Sequence, residues 1–239
     1  MTITETDVIF EDNHLIAVNK RIGDIVQGDK TGDAPLSELV KDFLRKKYNK
    51  TGNVYCGVIH RIDRPVSGAV IFAKTSKALA RMNQLVHDRQ IRKHYWAIVK
   101  NAPAVPQDEL VHYLFKDERR NMVIVSKKPK DGYLKAEMNY QLVASSNNYH
   151  LLEIELLTGR HHQIRAQLSA IGSPIKGDLK YGFPRSNADA SICLHAKSLS
   201  FIHPVTLQTT LIEATPPNEK LWNFFAEYTG AEEDKPPVE

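Results

Sequence analysis

With 239 residues, 42% of them hydrophobic and 25% charged, the chain has the make-up of a globular protein, long enough for one large mixed domain or two small ones. Its 32 Lys+Arg against 28 Asp+Glu leave +4 at pH 7, an excess that suits a polyanionic partner without requiring one. No apolar run approaches the ~18 residues of a membrane span, Met1 to Asp7 lack the basic-then-apolar pattern of a secretion signal, and Cys56 and Cys193 provide neither a disulfide framework nor a zinc knuckle. A cytoplasmic protein, off the membrane, is expected.

In chain order, Val8 to Lys20 reads as two short strands joined by the polar turn Asp12-Asn13-His14. Leu36, Leu39, Val40, Phe43 and Leu44 form the stripe of an amphipathic helix, and a strand is expected to start near Val54. Ala69 to Ala73 is a short apolar strand. Thr75 or Ser76 can cap a helix whose stripe is Leu79, Met82, Leu85 and Val86. That helix ends among the basic residues Arg89 to Lys93. His94 to Val99 alternates as a strand, with Tyr95, Ala97 and Val99 on one face.

Further on, Tyr140–Ala144 and His150–Leu157 flank Ser145-Ser146-Asn147-Asn148 as a hairpin. The spacing of Ile164, Leu168 and Ile171, with Gly172 as stop, predicts a helix over 160–171, whose other face carries His161, His162 and Arg165. Strands near Leu194–Phe201 and Thr209–Ala214 precede an amphipathic helix through Leu221, Phe224 and Phe225. The expected organisation is one domain over 1–229 and a disordered tail over 230–239. Strands outnumber helices, which argues an α+β fold on a largely antiparallel sheet with helices outside.

Three segments carry residues suited to chemistry. In His60-Arg61-Ile62-Asp63-Arg64-Pro65-Val66-Ser67-Gly68 a carboxylate lies between two guanidinium groups, which favour its ionised form even against burial; an ionised, partly desolvated Asp is a nucleophile or a base. Taken alone, such a pattern reads more readily as a surface ion pair, and the basic clusters at 89–94 and 127–130 equally as solvated surface. Tyr95 lies in a basic-aromatic strand, and Thr158-Gly159-Arg160-His161-His162-Gln163-Ile164-Arg165 opens a helix.

This combination resembles the RluA family of RNA pseudouridine synthases, whose signature boxes are His-Arg-Leu-Asp-Arg-x-x-Ser-Gly, Lys-x-Tyr-x-Ala and Gly-Arg-x-His-Gln-Ile-Arg, in the order found here. Ile16 to Lys20 with Gly23, Pro174 to Asp178 with Tyr181-Gly182, and Leu194-His195-Ala196 extend the likeness over about 7–225. Arg21 stands where proline is usual, and Pro65-Val66 where an acidic residue and threonine are usual.

The resemblance implies the pseudouridine synthase fold, without the RNA-binding domain that many members carry ahead of it. It also implies an isomerase acting as a monomer on ribosomal or transfer RNA, with no cofactor and no metal. Asp63 is implied as the catalytic aspartate, by covalent attack or by proton abstraction, with Arg165 pairing it and Tyr95 against the uracil ring. The target base would be flipped out of its stack. His60, Arg61 and Arg64 would hold the flipped nucleotide and its loop; Arg92, Lys93, Arg160, His161 and Gln163 would contact RNA, chiefly at phosphates. A glycosidic hydrolase would need a second carboxylate that this pattern lacks, and a non-catalytic RNA binder would have no use for Asp63, Tyr95 and Arg165 together.

Overall fold

A computed structural model describes residues 2–28 and 32–233, with the side chains of 229–233 excepted. The chain divides into two compact units, Met1–His94 with Ala196–Thr215 and Tyr95–His195 with Pro216–Glu239.

In the first unit β1 (Val8–Glu11) and β2 (Leu15–Lys20) pair antiparallel across the expected turn, where Asp12 Oδ1 accepts the N–H groups of His14 and Leu15 at 2.7 and 2.6 Å. Helix α1 (Leu36–Lys47) runs nearly one turn beyond its apolar stripe; Arg45, Lys46 and Lys47 in that turn suit the negative end of the helix dipole. The strand expected from Val54 shrinks to β3 (Gly57–Val58), which pairs with Ala73 and Phe72 of β4 (Ser67–Ala73).

Helix α2 (Ser76–His87) is capped by Thr75, whose Oγ1 accepts the Ala78 N–H at 3.1 Å. Strands β10 (Leu194–Ile202) and β11 (Thr209–Glu213) complete the unit. Its strand order is β1-β2-β4-β10, with β11 on β10 and β3 on β4.

Alternation along β2 and β4 builds two cores. Leu15, Ala17, Ala69, Ile71 and Ala73 pack with Met82 of α2, whereas Ile16, Val18, Val70 and Phe72 pack with Leu36, Val40, Phe43 and Leu44 of α1. Both faces of β4 are therefore buried, which is why its sequence is an unbroken apolar run.

The second unit contains β5 (Arg92–Val99) from Tyr95 onward, β6 (Gln107–Asp117), β7 (Met122–Ser126), β8 (Leu134–Ser145) and β9 (His150–Leu156), in the order β5-β9-β8-β6-β7. The pairs β6·β7, β6·β8 and β8·β9 are antiparallel. The long β6 and its hairpin partner β7 were not foreshadowed by the sequence pattern. Only Leu110, His112, Leu114 and Val123 of the pair are buried, so the period-2 signal is diluted by exposed apolar and charged neighbours.

Helix α3 (Gln163–Ala170) begins three residues later than the pattern predicts, because His162 takes a left-handed φ of 48° and ends the preceding turn. His161 and His162 are therefore not on a helix face with Arg165. Helix α4 (Lys220–Glu233) buries Trp222 and Phe225 and continues to Glu233; the remainder of the expected tail, 234–239, lies outside the described residues. Among the described residues no helix is long and apolar enough to cross a membrane.

Candidate active site

Asp63 sits in the connection from β3 to β4, at the head of a turn closed by the Val66 N–H on its own carbonyl at 3.1 Å. Pro65 occupies the turn without cost, since the closing donor is Val66 and the missing Pro65 N–H is not called upon.

Two groups beyond the turn grip its next peptide. The Gly23 N–H and the Lys20 ammonium both donate to the Arg64 carbonyl, at 3.0 and 3.1 Å, and Lys20 Nζ also donates to the Arg21 carbonyl at 2.9 Å. Where proline is usual, Arg21 instead closes an ion pair with Asp24 at 3.4 Å.

Lys20, which ends the strand β2, is among the largest fully buried side chains. Burial pulls its ammonium down to about 8, against the upward influence of the Asp24 and Asp63 carboxylates, with Arg64 adding to the fall. A buried cation in the field of Asp63 thus comes from β2, a contribution that a strand-like pattern conceals.

The glycine of the Ser-Gly pair has a steric cause. Gly68 has φ of 118°, pairs with Lys20 across β2 and β4, and a Cβ built on it would lie 2.3 Å from the Ala196 carbonyl oxygen of β10. No side chain fits there, so β4 starts flush against β10.

His60 Nε2 accepts the Ile71 N–H at 3.2 Å, and burial, aided by the Lys93 ammonium, pushes its imidazole down to about 3. A neutral ring bound to β4 braces the Asp63 loop. Arg64 pairs with Asp33 at 2.6 Å at the surface. Arg61 and Arg92 are exposed, and Lys93 is half-buried with its ammonium lowered by burial.

In the second unit the Gly-Arg-His-His-Gln segment is a saturated polar turn. Gln163, 3% exposed, accepts from Thr158 Oγ1 (2.8 Å) and the Arg160 N–H (3.0 Å) and donates to the Glu137 carbonyl at 3.0 Å. Its amide locks the entry to α3. His161 and His162 stack at 3.8 Å; His162 Nδ1 meets the Tyr181 hydroxyl at 2.9 Å, and His161 Nε2 meets Asn121 Oδ1 at 3.1 Å.

Arg165 is buried and held bidentately by Asp178, Nε to Oδ2 at 2.7 Å and Nη2 to Oδ1 at 2.9 Å, with its guanidinium 5.1 Å from the Tyr181 ring centre. Asp178 therefore sets the plane of this cation. In the sequence it stood only within a Gly-Asp pair 13 residues away, with no hint of the contact. Tyr95 is buried on β5, and Arg160 is exposed with Nε on the Lys135 carbonyl at 3.2 Å.

Burial pushes Cys56 up to about 12 and Cys193 up to about 11, so neither thiol is a nucleophile at neutral pH.

A sheet-dominated α+β fold that presents an anchored arginine-flanked aspartate, a strand tyrosine and a carboxylate-clamped arginine in this chain order defines a pseudouridine synthase. The chain belongs to the RNA pseudouridylate synthase family, isomerases that convert uridine in RNA to pseudouridine; the family's model matches residues 14–170. It is 32% identical over 226 residues to the ribosomal large subunit pseudouridine synthase D of Zymomonas mobilis, covering 89% of this chain and 70% of that one. It is 30% identical over 230 residues to the tRNA pseudouridine synthase C of Haemophilus ducreyi, covering 88% and 90%. Among solved structures, human RNA Pseudouridylate Synthase Domain Containing 4 superposes with a TM-score of 0.75 at 20% identity, covering 97% of this chain and 94% of that one, and shares the fold.

Proposed function

We propose that this enzyme isomerises specific uridines in ribosomal or transfer RNA, in the cytoplasm, as a monomer whose catalytic domain spans 1–229. No metal or cofactor takes part in this reading. The relatives named for ribosomal and transfer RNA support the substrate class. The observation that carries the catalytic role is the doubly anchored turn at Asp63, with Gly23 and buried Lys20 on its Arg64 carbonyl.

The chemistry balances without a co-reactant. The bond from ribose C1′ to uracil N1 breaks, a bond from C1′ to C5 forms, the C5 proton leaves and N1 gains one. Asp63 acts on the extruded nucleotide, Tyr95 lies against the uracil ring, and Arg165 pairs with the aspartate. Extrusion costs a few kcal/mol and is met by Arg61 and by phosphate contacts from Arg92, Lys93 and Arg160. His60, Arg64 and His161 bind RNA beside them, whereas Gln163, expected as an RNA contact, is buried with its amide engaged and serves by holding its loop in shape.

The test incubates total RNA from a strain lacking the gene with purified protein and maps pseudouridine. Wild type is expected to restore defined sites, and Asp63→Asn to lose about 10⁴-fold or more in rate. Restoration by Asp63→Asn, or none by wild type, overturns the reading.

A further inference from the structure

Residues 116–135 form one of the basic stretches of the chain. Residues 116–135 hold seven Lys/Arg (116, 119, 120, 127, 128, 130, 135) and three Asp/Glu (117, 118, 131), net +4, which equals the +4 of the whole chain. The other residues balance at 25 against 25. This stretch contains the β6–β7 turn, all of β7 and the turn into β8.

The same stretch exposes apolar surface that the core does not use. The inner face of the hairpin, Leu114 and Val123, packs with Ala136, Ala166 and Tyr181. On the opposite face Phe115 and Ile124 are paired across β6 and β7 and stand 39% and 45% exposed. Tyr133 stacks on Phe115 with ring centres 5.3 Å apart and planes inclined by 29°, and Lys130 Nζ lies 5.6 Å from the Tyr133 ring centre. Aromatic faces beside lysines are the means of holding unstacked bases and their phosphates without reading sequence.

The hairpin is joined to the Gly-Arg-His-His box. Asn121, at its turn with φ of 47°, meets His161 through Oδ1 at 3.1 Å and accepts Lys180 Nζ on its carbonyl at 3.1 Å. Arg119 and Arg120 are exposed in that turn. The hairpin turn and the box are thus held side by side.

Resting on the reading of the protein as an RNA isomerase, we propose that the outer face of the β6–β7 hairpin with Tyr133 is a platform for single-stranded RNA flanking the target uridine. Bases stack on Phe115 and Tyr133, and Lys127, Lys128 and Lys130 contact phosphates. Charge complementarity selects RNA as the occupant, because the stretch that bears the patch, residues 116–135, is net +4.

Anisotropy with a short fluorescein-labelled stem-loop RNA bearing loop uridines, over a range of salt, tests this on the full chain. Phe115→Ala with Tyr133→Ala is expected to weaken binding about tenfold with an unchanged salt slope. Lys127→Ala, Lys128→Ala and Lys130→Ala together are expected to weaken it and lower the slope by about 2–3. Phe115→Tyr with Tyr133→Phe, which keeps the rings, should bind as wild type and separates stacking from folding. Wild-type affinity and slope in both alanine variants would overturn the proposal. Asp63→Asn should bind normally; if it also retained activity, the catalytic reading would fail while the platform stood.

Discussion

The Asp63 turn and the Arg165 segment reach rigidity by different means. At Asp63 it is backbone that is held: a turn hydrogen bond, two donors on one carbonyl, and a glycine with no room for a Cβ. Around Arg165 it is side chains that are held, with both the oxygen and the nitrogen of the Gln163 amide engaged and the guanidinium gripped by Asp178. The first arrangement tolerates changes of exposed side chains and none of backbone shape. The second depends on side-chain chemistry, because a buried charge without its partner is costly.

The sharpest way to break this contrast is Asp178→Ala. It removes the bidentate partner of the buried Arg165 guanidinium, and a loss of about 3–5 kcal/mol in urea unfolding is expected; a loss below ~1 kcal/mol would show that Asp178 is dispensable to the clamp. On the other side, Gly68→Ala drives a methyl into the Ala196 carbonyl at a left-handed φ, and about 2–4 kcal/mol should disappear by the same measurement. Equal tolerance of alanine at Gly68 and at exposed Gly52 would refute the steric argument.

A smaller effect separates the regions by pH. His60 has a folded value near 3 against about 6.5 unfolded, so between those values the unfolded chain binds the extra proton and stability falls as pH falls through the window. The slope from this one group is at most about 1.4 kcal/mol per pH unit. His60→Gln, which keeps an acceptor for the Ile71 N–H, should flatten that slope; an unchanged slope would place the acid sensitivity elsewhere.

Lys20 gives the smallest effect, and its sign is opposite to a simple salt-bridge lysine. Its folded value, about 8, lies below 10.5, so from pH 8 to 10.5 the unfolded chain holds more protons and this group makes stability rise with pH. Activity should move the other way. Discharge of the ammonium weakens its grip on the Arg64 carbonyl, and a fall of about fivefold centred near pH 8 is expected in the rate profile. Lys20→Arg should carry that limb to higher pH; a limb that stays in place would exonerate Lys20.

Legibility differed between elements for physical reasons. Helices α1 and α2 and the β8–β9 hairpin were readable because each repeats its burial with a helix or strand period, and β4 because burial on both faces makes it an unbroken apolar run. The start of α3 was not, since His162 takes a conformation that residue type does not announce. Strands β6 and β7 escaped because their outer face is apolar and charged at once, the mixture that suits a nucleic-acid platform and hides alternation.

By itself the sequence determined the family, through three boxes in one order, and the candidate catalytic residues Asp63, Tyr95 and Arg165 within them. Only the tertiary structure decided what holds those residues. Lys20 and Gly23 lie some 40 residues before the turn they grip, and Asp178 lies beyond α3 from the arginine it clamps. Hydrogen bonds and buried charge depend on distance in space, and residue order constrains that distance only within a turn or a helix.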